Sequence, residues 1–114
     1  MKKEYIIKKK SEIDQLFKSK LKSYNKYFMI FLKKSNLNVN FRFAMSIGKK
    51  YGNAVERNKI KRQIRSIIRL NQGSIKVDND FVIVIRPNAN ILSYQEIESL
   101  IIELLLKLKI METD

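Results

Sequence analysis

The sequence predicts an α+β domain, a two-layer α/β sandwich in which helices lie on one small sheet in the order α-β-β-α-β-α. Three observations carry that prediction. The apolar spacing switches between the helical and the strand period along the chain. Phe81-Val82-Ile83-Val84-Ile85 is an unbroken β-favouring run that needs cover on both faces. A long isoleucine-spaced segment after Asn53 provides a helix with one side able to dock. With 45% apolar residues, a chain of 114 has enough material for one core, which excludes the disorder that 31% charge would otherwise suggest. Residues 1-114 therefore read as a single domain, with 1-10 as a flexible basic arm.

Ser11 with Asp14 resembles a capping pair, and Ile13, Leu16, Phe17 and Leu21 follow at helical spacing, predicting a first helix of about ten residues. Residues 26 to 33 are aromatic and apolar, and residues 41 to 47 alternate large apolar with smaller or polar side chains. These are two strands joined by a loop rich in Ser35, Asn36, Asn38 and Asn40. Asn53 is placed as the N-cap of the second helix with Glu56 reaching back to it, and Gly73 as its left-handed C-cap. Asp78-Asn79-Asp80 and Pro87 bound the third strand. Ser93 and Glu96 then form a capping box, and Ile97, Leu100, Ile101, Leu104, Leu105 and Leu108 make the apolar stripe of a last helix to about Ile110.

The chain has no cysteine and no histidine, so disulfides, thiolate metal sites and His-based nucleophile pairs are excluded. No paired-carboxylate site, phosphate-cradling glycine loop or metal-ligand spacing is present. Asp78 and Asp80 are spaced to chelate a cation, but a strand-entry turn explains them far better. The N-terminus is cationic without the apolar run of a signal peptide, and no segment is long and apolar enough to span a membrane. A soluble cytoplasmic protein is expected.

Charge is placed, not spread. Residues 42 to 69 hold nine Lys/Arg against Glu56 alone, a net +8 of the chain's +13. Residues 1 to 34 hold eleven against three acids, again +8, while residues 70 to 114 carry −3. On the second helix Ile60, Ile64, Ile67 and Ile68 cover one arc, and Lys59, Lys61, Arg62, Arg65 and Arg69 run round the other. A solvated helix surface normally mixes both signs. Here Arg57, Lys61, Arg65 and Arg69 repel at i, i+4, which a polyanionic partner would relieve. Lys49 and Lys50 precede the helix N-terminus, where free amides and the dipole favour phosphate, and Asn58 lies within the run.

Phe17, Tyr27, Phe28, Phe31, Phe41 and Phe43 make the front half aromatic, and most belong to the core. On the strand from 26 to 33, alternation gives Tyr27, Met29 and Phe31 one face and Phe28, Ile30 and Leu32 the other. A groove beside that strand would let unpaired bases stack, with Lys18, Lys22 and Arg42 nearby.

The run Tyr51-x-x-Ala54-x-x-Arg57-Asn58-Lys59-Ile60-Lys61-Arg62-x-Ile64-Arg65, preceded by Ser46-Ile47-Gly48-Lys49-Lys50-x-Gly52-Asn53, resembles the signature of the bacterial ribonuclease P protein component. The Ser-Glu-Ile-Asp-x-Leu-Phe helix, the aromatic strand and the stretch from Asp80 to Arg86 agree in order, so the resemblance spans nearly the whole chain. It implies a ribosomal protein S5 domain 2-like fold with a left-handed β-α-β crossover, a sense that general handedness rules would not suggest. It also implies a protein subunit that assists a catalytic RNA in removing the 5′ leader of precursor tRNA, with Mg2+ bound mainly by the RNA and no catalytic or metal-binding residue of its own. The partners implied are the RNase P RNA and precursor tRNA, with no membrane and no protein partner.

By position, the resemblance assigns Lys49, Lys50, Asn53, Arg57, Asn58, Lys59, Lys61, Arg62 and Arg65 to the catalytic RNA. It assigns Ile13, Phe17, Met29, Phe31 and Arg86 to a central cleft holding the leader. Lys59 stands where the family often has arginine, and Ile13 where an aromatic is common, so both depart from the pattern. The alternative reading is a structural RNA-binding protein of ribosomal type. A helix-turn-helix regulator would need a short helix directly before the basic one, where the sequence gives loop, strand and turn.

Overall fold

The computed structural model of the protein describes residues 2–112. Its sheet runs in the order β1-β2-β4-β3, from β1 (Leu21–Tyr24), β2 (Phe28–Lys34), β3 (Arg42–Ile47) and β4 (Asn79–Ile85). The helices are α1 (Lys10–Phe17), α2 (Ala54–Leu70) and α3 (Tyr94–Lys107). β1 is an addition to the predicted order. It is a four-residue edge strand with three exposed side chains, so no apolar pattern marks it, and it exists because β2 offers it a pairing edge. β2 is antiparallel to both neighbours, whereas β3 and β4 are parallel and joined through α2. That β3-α2-β4 unit is consistent with the crossover the resemblance implies.

Residues alternate sides along each strand, and the burial follows. Phe28, Ile30 and Leu32 of β2, Phe43 of β3, and Phe81, Ile83 and Ile85 of β4 form the main core with Ile60, Ile64, Ile67 and Ile68 of α2 and Ile97, Ile101, Leu104 and Leu105 of α3. The rings of Phe41, Phe43 and Phe81 stack within it, with centroids 5.7 to 6.4 Å apart. The opposite face is only partly covered. There α1 lays Leu16 on Ala44 and Val82, with Ile7, Ile13 and Phe31 around them. β4 is thus covered on both faces along most of its length, as its composition requires.

Both predicted capping boxes at α2 and α3 are formed. Asn53 Oδ1 accepts from Glu56 N at 2.9 Å, and Asn53 N donates to Glu56 Oε1 at 3.0 Å. Ser93 and Glu96 repeat the pattern. A Cβ at Gly52 would lie 2.7 Å from Glu56 Oε1, so the missing side chain leaves room for that carboxylate to reach back.

Four local expectations are corrected. Within the segment expected as an arm over 1-10, of which Met1 lies outside the described residues, Tyr5 to Ile7 are docked: Ile6 bridges Phe43, Ile7 N donates to Phe43 O at 2.9 Å, Ile7 is buried, and Tyr5 packs on Phe41. The first helix starts two residues early, with Lys9 at its cap and no side-chain cap, because the docked segment fixes where the chain enters. Tyr27 precedes β2 in a turn made by Asn25, whose Oδ1 accepts from Tyr27 N and Phe28 N, so it packs on the main core and not beside Met29. Gly73 is not a left-handed cap. α2 ends when Asn71 Nδ2 donates to Ile67 O at 2.8 Å, and Gly73 sits in a 3-10 turn. The left-handed residue is Lys109, φ 57°, which closes α3 in a Schellman arrangement with Ile110 N on Leu105 O and Lys109 N on Leu106 O.

α1 is tied down by charge as well as by Leu16. Arg42 Nη2 lies 2.6 Å from Asp80 Oδ2 and 2.8 Å from Glu12 Oε2, and Asn38 Nδ2 donates to Asp80 Oδ1 at 2.7 Å. Hydrogen bonds to Asp80, then to Glu12, raise Arg42 above the ordinary arginine range. Asp80 is buried, so removing its partner strands a charge away from water. Arg42→Ala is expected to lower the unfolding free energy in urea by about 2–4 kcal/mol, whereas Glu12→Gln, which is half-exposed, costs less than about 1 kcal/mol.

Candidate nucleic-acid interface

Two surfaces carry the residues singled out in the sequence. The first is the outer side of α2 with the turn before it. Lys49, Lys50, Asn53, Asn58, Lys59 and Arg62 are exposed, and Arg57, Lys61 and Arg65 are half-exposed. Among the described residues no Lys or Arg of α2 or of the preceding turn is in an ion pair. Arg57 Nη1 donates to Gly52 O at 3.0 Å, which fixes its stem against the turn. Asn53 has its side-chain oxygen committed to the cap, and the only acid of the segment, Glu56, is committed to the same cap. The cations therefore face outward without an internal counter-charge. Four buried isoleucines on the inner side keep them there.

The second surface is the part of the sheet that α1 leaves uncovered. Phe17, at the end of α1, meets Phe31 edge-on with centroids 5.4 Å apart, and Lys22 Nζ lies 5.9 Å over the Phe31 ring. Met29 is half-buried on the same face, beside Tyr24 of β1 and Val84 of β4. Arg86, immediately after β4, places its guanidinium 5.8 Å over the Tyr24 ring. Phe17, Met29, Phe31 and Arg86 thus share one open face. Ile13 belongs to the other flank of α1, where it lines a groove of about 300 Å³ with Ile7, Ala44, Lys61 and Arg65. That groove opens beside Lys61 and Arg65 of the first surface and includes none of the four open-face residues.

Arg42 does not serve the open face, since it is locked to Glu12 and Asp80. Sequence reasoning missed Tyr24, because the strand that presents it has no pattern of its own. Its signal is only retrospective: an exposed aromatic between Lys22 and Lys26.

The chain offers little for chemistry of its own. Among the described residues no three His, Cys, Asp or Glu side chains converge. Asp80 is engaged by Arg42 and Asn38, and Asp78 lies 3.8 Å from Lys34, so the pair does not make a cation site. Burial, then the nearby Glu56 carboxylate, raises the Tyr51 phenol above its ordinary value. It stays protonated and neutral near pH 7.

A model of the ribonuclease P family matches residues 1–109. The ribonuclease P protein component of Phytoplasma australiense is 48% identical over 99 residues, covering 87% of this chain and 86% of that one. That of Acholeplasma laidlawii is 44% identical and covers 100% of this chain and 97% of its own length. Among solved structures, the RNase P protein of Staphylococcus aureus superposes with a TM-score of 0.88 at 29% identity, over 95% of this chain and 98% of that one.

The 39% exposure of Phe17 separates it from the core aromatics. Phe17→Ala is expected to cost less than about 1 kcal/mol of stability by thermal melt, whereas Phe28→Ala, fully buried, costs about 3–5 kcal/mol.

Proposed function

The chain belongs to the bacterial ribonuclease P protein family, the protein subunit of the ribonucleoprotein endoribonuclease that processes tRNA, and from that membership we propose how its two surfaces divide the work. The outward cations of α2, with Lys49 and Lys50, grip the phosphates of the catalytic RNA. The open sheet face, with Phe17, Met29, Phe31 and Arg86, holds the single-stranded 5′ leader of precursor tRNA. Ile13, with Lys61 and Arg65 in the adjoining groove, lies where the two RNAs come closest.

The observation that carries this reading is the run of α2 cations without an intramolecular partner. Each phosphate they neutralise releases a condensed counter-ion, so affinity arises from salt-dependent electrostatics more than from shape. The leader face works differently. Stacking on Phe17 and Phe31 is sequence-tolerant because every base has a π-face, and Lys22 and Arg86 add charge beside the rings. Holding the leader there favours precursor over mature tRNA, since only the precursor has a strand to place. Concentrating cations beside the RNA also offsets the repulsion between phosphates at the cleavage site.

Hydrolysis belongs to the RNA. The protein has no His and no Cys, and among the described residues no converging acids to act as base or metal ligand, so we assign Mg2+ to the RNA and route none of its steps through this chain. No helix among the described residues is long and apolar enough to cross a membrane, and we place the protein in the cytoplasm with its RNAs. Family membership sets aside the ribosomal-type alternative.

Two measurements test this. The isolated protein is expected to cleave nothing, but when added to its cognate catalytic RNA it lowers the magnesium required for precursor cleavage and tightens binding of precursor more than of mature tRNA. Equal affinity for both tRNAs in the reconstituted complex defeats the leader assignment. Neutralising Arg57, Arg62 and Arg65 together is expected to reduce the slope of log affinity for the catalytic RNA against log salt by about 2 to 3. An unchanged slope removes α2 from the RNA surface.

A further inference from the structure

We propose that Tyr24, with Lys22 and Arg86 beside it, forms a second base-stacking site on the open sheet face, one nucleotide along from the Phe17–Phe31 pair. The inference rests on the leader reading above and extends it to the edge strand β1.

Register provides the geometry. Lys22 is the cross-strand partner of Phe31, and Tyr24 that of Met29. Alternate residues share a face, so Lys22, Tyr24, Met29, Phe31 and Val84 all point to the side that α1 only partly covers. Two residues of strand separate the Phe31 level from the Tyr24 level, about 7 Å. That is a step an extended single strand can take between successive bases.

Exposure marks the same residue. Phe17 and Tyr24 are the two exposed aromatic residues among those described, at 39% and 61%. An exposed ring on an edge strand is by itself unremarked, but this one continues an aromatic surface and has a guanidinium 5.8 Å above it. The second cation, Lys22, sits over Phe31. Phe31 and Tyr24 therefore each have a positive group positioned for the phosphate next to a stacked base.

The charge of the region fits one kind of occupant. From Gln15 to Val55 the chain contains no Asp or Glu; Lys22 lies in β1, and Lys18, Lys20 and Lys26 flank it. Such a surface repels a basic peptide and attracts a polyanion, and its stacking rings select unpaired nucleotides over a duplex, whose bases are already stacked. The occupant is the leader strand after it has passed Phe31.

The test uses the holoenzyme reconstituted from the full chain and its cognate catalytic RNA. Its substrates are precursor tRNAs whose leaders are shortened one nucleotide at a time, with mature tRNA as the endpoint. Tyr24→Ala is expected to weaken binding roughly tenfold for leaders long enough to pass Phe31, and to leave the shortest leader, mature tRNA and assembly with the RNA unchanged. Tyr24→Phe, which keeps the ring, should match the parent protein. Phe17→Ala should weaken binding for shorter leaders as well. If Tyr24→Ala binds every leader as the parent does while Phe17→Ala does not, the second site is wrong and the leader face stands. If neither change matters at any length, the leader face itself is wrong. A loss with Tyr24→Ala that extends equally to mature tRNA would assign the residue to folding or assembly and overturn the proposal.

Discussion

Ile60, Ile64, Ile67 and Ile68, fully buried on one side of α2, hold against the sheet a helix whose other side repels itself. The magnitudes decide the outcome. Burying an isoleucine side chain contributes about 1.5–3 kcal/mol, so four of them contribute on the order of 6–12 kcal/mol. The like-charge neighbours Arg57/Lys61, Lys61/Arg65, Arg65/Arg69, Lys59/Arg62 and Arg62/Arg65 oppose this by about 0.2–0.5 kcal/mol each. Docking wins by a wide margin, and the protein can present cations in excess without surrendering the helix. Everything on the α2 surface depends on that imbalance.

The N-terminus of α2 adds a second economy. Its only acid, Glu56, is spent on the capping box with Asn53, and Gly52 leaves the room it needs. The carboxylate thus completes the cap in place of pairing with Lys59 or another cation of the helix. The opposite arrangement holds on the far side of the sheet, where Arg42 is wholly engaged by Glu12 and Asp80 and serves to hold α1. Two kinds of arginine are present: one locked inward as a strut, the others directed outward. The position of α1 matters because its end, Phe17, is one wall of the open face.

What the sequence made legible was whatever is decided locally. Asn53 with Glu56, and Ser93 with Glu96, cap their helices through contacts three residues apart, and the isoleucine stripe of α2 and the apolar run of β4 need only their own periodicity. What escaped was decided at a distance. β1 is a strand because β2 pairs with it and because Ser19 Oγ donates to Leu32 O, and neither partner is visible in Leu-Lys-Ser-Tyr. The start of α1 is fixed by the pairing of Ile6 and Ile7 with Phe43, so a plausible Ser11 cap went unused. Lys109 occupies the left-handed position that glycine would favour, where Gly73 had the better composition but the wrong place. The basic surface was readable as a charge count, and the open face through strand alternation and the family resemblance; its Tyr24 side was not, because β1 has no pattern of its own.

A sheet with two free borders invites other strands to add to it, and this one guards each border differently. Ile6 bridges Phe43 and Ile7 bonds to it, covering the start of β3 on that side. At the other side β1 is only four residues long and lies between Lys20 and Lys26, so an approaching copy meets little backbone and much repulsion. Each border therefore offers a second copy of the chain little free backbone and an unfavourable charge, which disfavours edge-to-edge association of the free protein.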